Sequence, residues 1–587
     1  MSAPSNQEQL LLELINHTRL DPAGSSTLYI SSYVPLVSSD PDIQGALAYF
    51  GVSGAALQTA YDALSPTQPL AWNGQLADAA QAHSQLMITH DAQSHQLPGE
   101  ASLGTRIGNA GYSYSYVGEN IYAYSKSMLY AHAGFMVDWG PGPVGMQDPP
   151  GHRDNIMNAI FREVGLGVVS EANPATQVGP YVVTQDFGVR WGSPQVFLLG
   201  VSYADGDGNR FYSLGEGRSA MTVSTAEASS QSTASGGYTL ELTAGTKTIT
   251  FSGGGLATPL VISAEMSNGT NAKIDVRDAS TLLSSVDLTL VSGATRLVAL
   301  GVQDLMLTGA AGNQVLEGNG GDNTLSGKAG NDTLNGGRGN DTLSGDGGND
   351  TYVVGSINDR VLELAGQGLD LIKSGVTFSL VDTDGAGGKG GNVEKLTLTG
   401  NQNISGTGNS LANTLAGNGA SNKLWGNGGN DSLLGNSGND GLYGGSGNDT
   451  LQGGGGNDQL AGGTGNDRLT GNAGVDHFVF NTSLNAGANL DTLVDFTPGT
   501  DTIRLDDDIF RALGPVSTTT VLAAGKFHTA AGATAAHDGN DRVVYDSATG
   551  ALYYDADGQG GVQAVQFALL GTSTHPSLTA GDIFVVV

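Results

Sequence analysis

A nine-residue repeat fills much of the C-terminal half of this chain, between Gly309 and Val479. Glycine opens each of the thirteen units, an apolar residue occupies the eighth position, and nine units carry aspartate at the sixth. The units begin at Gly309, Gly318, Gly327, Gly336, Gly345, Gly408, Gly417, Gly426, Gly435, Gly444, Gly453, Gly462 and Gly471. Because the phase holds over eight consecutive units from Gly408, the repeat predicts a parallel β-solenoid rather than a flexible linker.

The aspartates of the repeat indicate a metal as well as a fold. Glycine allows the positive φ angles of a tight turn and leaves carbonyl oxygens uncovered, and each carboxylate adds a hard anionic oxygen. Stacked turns of this kind form an oxygen cage that suits calcium better than a softer metal. We therefore predict calcium ligands at Asp332, Asp341, Asp350, Asp431, Asp440, Asp449, Asp458, Asp467 and Asp476.

Units such as GGSGNDTLQ, beginning at Gly444, resemble the RTX (repeats-in-toxin) family. The resemblance implies a β-roll in which two nonapeptides make one coil and calcium bridges turns two units apart. By that rule the fullest sites pair Asp431 with Asp449, Asp440 with Asp458, Asp449 with Asp467 and Asp458 with Asp476. Amides stand in the aspartate position at Gln314, Asn323, Asn413 and Asn422, so these outer coils are expected to bind weakly or to act as caps.

The composition agrees with an extracellular protein that takes its stability from calcium. The chain has 587 residues, 91 glycines, no cysteine and a formal net charge of −32. Nucleic acid and anionic membranes are not expected partners, because both need a positively charged surface. No stretch has the length of a transmembrane helix. The N-terminus lacks a basic head, so we expect secretion without an N-terminal signal peptide.

The last hundred or so residues resemble the C-terminal domain of serralysin-type metalloproteases. The segments that carry this resemblance are HFVFNTSLNAGANLDTLVDFTPGTDTIRL, DRVVYDSATGALYYDADGQGG and LTAGDIFVVV. The final stretch, Asp582 followed by apolar residues, looks like the uncleaved signal read by type I (ABC) secretion systems, which are therefore an expected partner. A closing β-strand is the alternative interpretation of the same residues. No HExxH motif occurs, so the zinc chemistry of those proteases is not expected here.

The chain is expected to be multidomain. It should contain an α/β/α sandwich, a β-sandwich and a parallel β-roll solenoid. The predicted boundaries are 1–195 for the first domain, 197–276 for a calcium-binding-type β-sandwich, 277–354 for a strand lead-in and first repeat array, 355–407 for a β-rich insert, 408–479 for the second array and 480–587 for the C-terminal domain. We interpret the insert as solenoid-like strands with a loop at DTDGAGGKGG, and a separate catalytic insert is the alternative.

A second candidate calcium site lies at the start of the predicted β-sandwich. Asp205, Asp207 and Asn209 alternate, and Glu216 stands at the twelfth position, which is the ligand spacing of an EF-hand loop. Arg210 replaces the glycine that such a loop normally has, and no flanking helices are expected. The segment resembles the calcium-binding β-sandwich repeats of bacterial surface proteins, and a plain acidic turn is the alternative.

Three ordered fragments mark residues 1–195. They are SHQLPGEASLGTRIGNAGYSY, VGENIYAY and PPGHRDNIMNAIFREVGLGVV, and they follow a predicted helix over QPLAWNGQLADAAQAHSQLMITH. Together they resemble the CAP superfamily (cysteine-rich secretory protein, antigen 5, pathogenesis-related 1) in a cysteine-free form. The resemblance implies an α/β/α sandwich with a central cleft.

By that resemblance His95, Glu119 and His152 line the cleft. Two imidazoles and a carboxylate can hold a metal such as zinc with an open position, or Glu119 can act as a general base. The family's second glutamate is missing before GHR, and Asp138 and Asp148 are the carboxylates available to replace it.

Several functions stay open at this point. The residues predict a secreted calcium-binding protein whose first domain binds an extracellular ligand, such as a lipid, a peptide or a cell-wall component. A peptidase-like hydrolase acting through the same cleft and a non-enzymatic adhesin or matrix protein are the alternatives. A scaffold role for the cleft residues is also open, and we interpret His83 and His90 as ordinary helix residues. No GxSxG nucleophile motif supports serine hydrolysis.

Overall fold

The computed structural model describes residues 2–173, 175–192, 196–382 and 390–587. The chain forms two compact units. The N-terminal unit contains Met1–Ala310 and Gln314–Leu325, and the C-terminal unit contains Ala311–Asn313 and Ser326–Val587. None of the helices in the described ranges combines the length and apolar content needed to cross a lipid bilayer.

The first domain, which we call the head, holds all the α-helices of the described chain. They are α1 (Asn6–Leu20), α2 (Pro22–Ser25), α3 (Pro41–Phe50), α4 (Gly54–Asp62), α5 (Gly74–His90), α6 (Leu103–Asn109), α7 (Met128–Val137) and α8 (Gly151–Met157). Its strands are β1 (Ser32–Tyr33), β2 (Leu36–Val37), β3 (Ala71–Trp72), β4 (Tyr114–Ser125), β5 (Glu163–Ser170) and β6 (Tyr181–Arg190). Short 3-10 helices in the whole chain span Ser26–Leu28, Pro143–Gly145, Arg511–Leu513, Ala524–Lys526 and Ala580–Asp582.

The head is an α/β/α sandwich, as predicted, around a sheet with the strand order β3-β5-β6-β4. Helix α5 lies against one face, where β5 presents Gly165 and Gly167. A Cβ atom on Gly165 would lie 1.9 Å from the backbone nitrogen of Ala77 in α5, so only glycine allows this approach. On the other face Val164 and Leu166 are buried in one apolar core with residues of α1 and α7. Strand β4 lies at the edge of the sheet and carries Glu119.

After the head, the N-terminal unit continues as two β-sheets. Their strands are β7 (Val196–Tyr203), β8 (Met221–Ser224), β9 (Ser229–Gln231), β10 (Gly237–Leu242), β11 (Gly245–Gly253), β12 (Leu260–Met266), β13 (Ala272–Arg277), β14 (Thr281–Ser284), β15 (Leu288–Ser292), β16 (Arg296–Ala299), β17 (Met306–Thr308) and β18 (Val315–Glu317). Strand β7 pairs with β10 and β13, whereas β11 pairs with β8 and β12. The rings of Tyr238 on β10 and Phe251 on β11 meet edge-to-face at 6.2 Å, so the two sheets face each other.

A run of parallel pairing begins at β14, because β14 pairs in parallel with β16 and β16 with β18. The strands that follow are β19 (Thr324–Ser326), β20 (Thr333–Asn335), β21 (Thr342–Ser344), β22 (Thr351–Val354), β23 (Arg360–Val361), β24 (Leu371–Ser374), β25 (Phe378–Ser379), β26 (Lys395–Leu398), β27 (Ser405–Thr407), β28 (Thr414–Ala416), β29 (Lys423–Gly428), β30 (Ser432–Ser437), β31 (Gly441–Ser446), β32 (Thr450–Gly455), β33 (Gln459–Thr464), β34 (Arg468–Ala473) and β35 (His477–Phe480).

Within the C-terminal unit these strands form a parallel β-solenoid, which we call the roll. Leu433 pairs with Leu451 and Leu442 with Leu460, so one coil contains two nonapeptides. The eighth position of each unit supplies one buried apolar side chain, and Leu433, Leu442, Leu451 and Leu460 are at most 1% exposed. The predicted β-roll is therefore confirmed.

The predicted insert, residues 355–407, consists of further roll strands in its described part. Strand β24 pairs in parallel with β22 before it and β26 after it, and β26 pairs with β28. The residues between 383 and 389, in the predicted loop DTDGAGGKGG, lie outside the described ranges. The chain therefore passes from one repeat array to the next through the same sheet.

The C-terminal segment adds the strands β36 (Asp491–Leu493), β37 (Thr502–Asp506), β38 (Thr520–Val521), β39 (Phe527–Ala530), β40 (Val543–Asp546), β41 (Ala551–Tyr554), β42 (Val565–Leu570) and β43 (Ile583–Val586). Strand β43 pairs in parallel with β37 and antiparallel with β38. The residues interpreted as an export signal are thus also a closing strand.

Candidate functional site

Glu119 is the centre of a buried charged cluster on the α5 side of the head. Its Oε1 lies 2.9 Å from Nδ1 of His95, and its Oε2 accepts a hydrogen bond from Arg106. His83 of α5 lies behind them, with Nε2 3.9 Å from Oε2 of Glu119 and Nδ1 2.8 Å from Oε1 of Glu100. His95 is the exposed member, with 61% of its side chain accessible.

Asp186 of β6 is the cross-strand partner of Glu119 on β4 and is fully buried. Burial and the neighbouring carboxylate of Glu119 raise the pKa of Asp186 well above its usual range. Arg106 lies beside Glu119 and lowers the pKa of Asp186 in part, but burial and the carboxylate of Glu119 outweigh it.

His152 belongs to a second cluster, on the α8 side. Its Nδ1 lies 2.7 Å from Oδ1 of Asp138, and its backbone nitrogen donates to Oδ2 of Asp138 at 3.1 Å. Asp138 follows α7 with φ of 56° and is fully buried, so a left-handed residue after the helix directs this carboxylate to the start of α8. Asp138 rather than Asp148 supplies the carboxylate near GHR, as a partner of His152.

The three predicted cleft residues therefore lie in two clusters. In the described part of the chain no hydrogen bond or ion pair joins the side chain of His152 to His95 or Glu119. Neighbouring strand residues point to opposite faces, so Glu119 faces α5 while Asn120 faces α8 and donates to the carbonyl of His152 at 3.0 Å. The groups of three possible metal ligands found among the described residues do not include this trio. The geometry thus gives no support to zinc at His95, Glu119 and His152.

A cavity of about 560 Å³ opens beside His152. Aromatic rings form much of its wall, and the lining residues include Phe50, Tyr122, Tyr124, Tyr130 and Trp139. Asp138 holds Nδ1 of His152 and so fixes the orientation of the imidazole ring beside the cavity. The lining also includes Asp42, Gln93, Lys126 and Gln147, so the cavity is a mainly aromatic pocket with several polar groups, which is typical of ligand-binding sites.

The predicted calcium residues of the roll form two ladders. Inside the regular arrays the backbone nitrogen of an aspartate donates to Oδ1 of the aspartate 18 residues later, at 2.7 Å from Asp431 to Asp449 and 2.8 Å from Asp440 to Asp458. The second oxygen, Oδ2, is buried without a hydrogen-bond partner in Asp350, Asp431, Asp440, Asp449, Asp458 and Asp467. Burial raises the pKa of Asp440 to about 7 and that of Asp431 to about 6, since no positive group compensates the charge.

The glycine that opens each unit leaves room for this oxygen. A Cβ atom on Gly444 would lie 2.3 Å from Oδ2 of Asp449 and 2.4 Å from the carbonyl oxygen of Gly462. A buried orphan carboxylate oxygen beside an uncovered carbonyl is a donor set that fits a hard divalent cation. The residues present therefore suit calcium.

Comparison with known proteins agrees with both parts of the chain. The sequence model of the cysteine-rich secretory protein (CAP) family matches residues 12–187, and that of the RTX calcium-binding nonapeptide repeat matches residues 317–352, 407–442 and 443–478. The head is a CAP domain, and the roll is built of RTX repeats. This combination identifies an extracellular calcium-binding protein.

Two solved structures are similar over part of the chain. One is an extracellular protein containing an SCP domain from Bacillus anthracis str. Ames, with 26% identity over 26% of this chain and 46% of that chain and a TM-score of 0.17. The other is the extracellular lipase LipA from Serratia marcescens, with 16% identity over 48% of this chain and 40% of that chain and a TM-score of 0.15. This chain thus spans less than half the length of either. No match is found among curated proteins.

The RTX ladders contain members that the repeat pattern did not predict. Asp341 donates its backbone N–H to Asp359 at 2.9 Å, Asp350 to Asp370 at 2.8 Å, Asp467 to Asp491 at 3.1 Å and Asp476 to Asp501 at 3.0 Å. Each of the four acceptors stands two places before an apolar strand residue, as in Asp370-Leu371-Ile372. The aspartate and the apolar residue two places after it are thus kept where the glycine turn is altered. This short pattern is the sequence signal that could have identified the four acceptor aspartates.

The loop with EF-hand spacing lies between β7 and β8. It brings ligand oxygens of Asp205, Asp207 and Glu216 within 4.8 Å of one another. Arg210 takes φ of 64°, the left-handed conformation for which glycine is usually selected. Asn209 instead donates its side-chain amide to Asp207 at 2.9 Å. Three of the four predicted ligands are thus gathered, and calcium binding here stays a prediction.

Proposed function

We propose that the CAP domain is a ligand-binding head that works outside the cell and that the RTX roll folds on calcium. The observation that carries this proposal is the aromatic cavity beside His152. A pocket of about 560 Å³ can bury most of a lipid chain or an apolar peptide side chain. The oriented imidazole then provides one hydrogen bond to the polar end of the ligand.

Gly45 of α3 offers a direct test, because it lines the cavity and a Cβ atom there would meet nothing within 4 Å. Leucine at this position should fill the pocket without disturbing the backbone. With a pyrene-labelled fatty acid as the probe, Gly45→Leu should weaken binding about tenfold or more, an effect of about 1.4 kcal/mol. Gly108→Leu is the matched control, since Gly108 is also helical with open space around its Cβ but lies outside the cavity. Equal binding by both variants and wild type argues against the cavity.

Hydrolysis through the same domain is the alternative. Both oxygens of Glu119 are already engaged, by His95 and Arg106, which leaves no free carboxylate to activate water. The pair His95→Ala/His152→Ala tests the two functions together. Loss of probe binding without any peptide turnover by wild type supports a binding head, whereas turnover by wild type that the pair abolishes supports a hydrolase. An adhesin whose head uses no cavity shows neither activity.

Export by a type I system is part of the same proposal. At low cytosolic calcium the uncompensated aspartates of the roll repel one another, which keeps the chain unfolded for passage, and extracellular calcium then drives folding. Asp582 and the apolar residues after it, Ile583–Val586 and Val587, are the candidate signal. Secretion should depend on a co-expressed type I exporter and should stop when this segment is scrambled. Secretion that is independent of the exporter contradicts this part of the proposal.

A further inference from the structure

Three carboxylates converge where the nonapeptide phase is lost. Asp350 ends the first repeat array, Asp370 follows it in the ladder, and Glu363 belongs to the segment VLELAGQG, which contains no nonapeptide. One oxygen from each lies within 4.8 Å of the others. The three residues are 1%, 1% and 2% exposed, respectively. Glu363 has no counterpart in the repeat, so this group differs from the ordinary sites of the roll.

Hydrogen bonds account for only part of the polar surface in this cluster. Asp350 accepts the backbone N–H of Asp332 on Oδ1 at 2.7 Å, and Asp370 accepts that of Asp350 on Oδ1 at 2.8 Å. Tyr352 donates its hydroxyl to Oε1 of Glu363. Oδ2 of Asp350 and Oε2 of Glu363 are buried and have no hydrogen-bond partner. Two orphan carboxylate oxygens in a buried group point to a missing positive ligand.

The surrounding charges make that ligand necessary. Asp370, Asp350 and Asp346 act on Glu363, and Glu394 and Lys395 act on Asp370, so the charges around the cluster are mainly acidic. Charged carboxylates that are buried together without a cation are unfavourable, because burial removes their hydration. A cation removes this cost, and an all-oxygen ligand set selects a hard one.

We propose that Asp350, Glu363 and Asp370 bind a calcium ion that closes the coil at the break between the two repeat arrays. The tyrosine hydroxyl makes this site distinctive. Repeat units carry leucine in most apolar positions, whereas Tyr352 reaches the cluster through its hydroxyl, which also accepts the backbone N–H of Gly345 at 2.7 Å. The ion would hold Glu363, from outside the repeat, against the ladder. The inference does not depend on what the head binds.

Ion counting on the full-length chain tests the proposal. Calcium bound per chain, measured by equilibrium dialysis and elemental analysis, should fall by one ion in Glu363→Gln relative to wild type. Asp508→Asn is the matched control, because Asp508 is an exposed carboxylate of the same unit, and its count should not change. Asp440→Asn removes a ligand of the repeat ladder and should also lower the count. An unchanged count in Glu363→Gln with a lowered count in Asp440→Asn overturns this site while leaving the repeat sites intact.

Terbium luminescence provides a second measurement that does not require removal of a carboxylate. Terbium replaces calcium at oxygen sites and emits when a tyrosine close to it is excited. Tyr352→Phe should reduce the sensitised emission of the full chain while its calcium count stays at the wild-type value. Tyr49→Phe, an exposed tyrosine of the head that lies outside the roll, serves as the control for non-specific change. Emission from Tyr352→Phe equal to that of wild type contradicts the proposal, even if Glu363→Gln fails to fold.

Discussion

Buried carboxylates occur in both the N-terminal unit and the roll, but they are compensated in different ways. In the N-terminal unit several of them are paired with arginine or lysine. Arg190 donates to Glu163 through Nε at 2.8 Å, Arg106 donates to Glu119, and Lys273 lies 2.7 Å from Glu13. In the described roll, six ladder aspartates accept a backbone N–H on Oδ1 and have an Oδ2 that is buried without a hydrogen-bond partner: Asp350, Asp431, Asp440, Asp449, Asp458 and Asp467.

The two regions therefore bury carboxylates in two ways, either paired with a cationic side chain or with one oxygen left unpaired. A carboxylate that is paired with arginine or lysine is satisfied by the chain alone, so we expect the CAP domain to fold without an added ion. A carboxylate with one unpaired buried oxygen makes folding depend on a cation from solution. We therefore expect calcium to act as a folding ligand of the roll and to leave the CAP domain unchanged.

Removal of calcium should have the largest effect. With the chelator EGTA, the roll should lose its β-structure, because each site contributes about 2.7 kcal/mol when calcium is present at a hundred times its dissociation constant. Circular dichroism and calorimetry of the full chain should show one transition lost and the transition of the N-terminal unit retained. Magnesium should restore less structure, since it demands stricter octahedral geometry. If the circular dichroism signal of the strands stays complete in EGTA, the roll does not depend on calcium, and the proposed difference between the two regions is wrong.

Lys273 tests the other side of the comparison. Its ammonium group lies between Glu13 and Asp275, all three side chains being buried. Lys273→Met leaves two carboxylates without a partner and should destabilise the N-terminal unit by about 3 to 5 kcal/mol. The midpoint of calcium-induced roll folding should not move. Lys126→Met is the control, because its ion pair with Asp42 is half exposed, and the melting temperature should stay unchanged. A shifted midpoint of calcium-induced folding in Lys273→Met would mean that the charges of the N-terminal unit influence folding of the roll.

Sequence predicted the roll well because its stabilising features are local. Glycine, aspartate and an apolar residue at fixed offsets define a turn, an oxygen ligand and a core position within nine residues. Prediction stopped where the repeat lost its opening glycine or its nine-residue spacing. Asp359 keeps the spacing but its unit opens with Val354 instead of glycine, whereas longer loops shift Asp370, Asp491 and Asp501 out of phase. Their contacts in the ladder depend on which strands pair with each other. A fixed repeat length does not predict that pairing where the loops vary in length.

The candidate site of the CAP domain was predictable only in part. The motifs indicated His95, Glu119 and His152, but not that they occupy two clusters, since the alternation of β4 separates them. His83 was interpreted as an ordinary helix residue, yet the packing of α5 on the sheet brings it beside Glu119 and Glu100. Arg106 and Asp186 were not singled out, because no sequence spacing shows that a buried carboxylate needs them.

Acid should destabilise the N-terminal unit through a histidine. His132 is fully buried beside Thr18, and burial lowers its pKa from 6.5 to about 3. Below pH 6.5 His132 binds a proton in the unfolded chain but stays neutral in the folded chain. The free energy of unfolding therefore falls as the pH falls from 6.5 towards 3. His132→Gln should remove about 2 kcal/mol of the loss expected between pH 6.5 and 4.5. The measurement is urea unfolding of the N-terminal unit in calcium at both pH values. An identical loss in the variant assigns the acid sensitivity to carboxylates.

A glycine pair inside the roll gives the smallest expected effect and separates backbone geometry from ion binding. Gly447 has φ of 128°, and a Cβ atom there would lie 1.8 Å from the carbonyl oxygen of Gly429 in the preceding coil. Gly455 has open space around its Cβ. In saturating calcium, Gly447→Ala should destabilise the roll by about 1 to 3 kcal/mol, whereas Gly455→Ala should be near neutral. Because neither change touches a carboxylate, calcium bound per folded chain should stay constant. The opposite result, fewer bound calcium ions in Gly447→Ala with unchanged stability, would contradict this prediction. It would mean that stacking of the coils depends more on the cations than on close contact between glycine backbones.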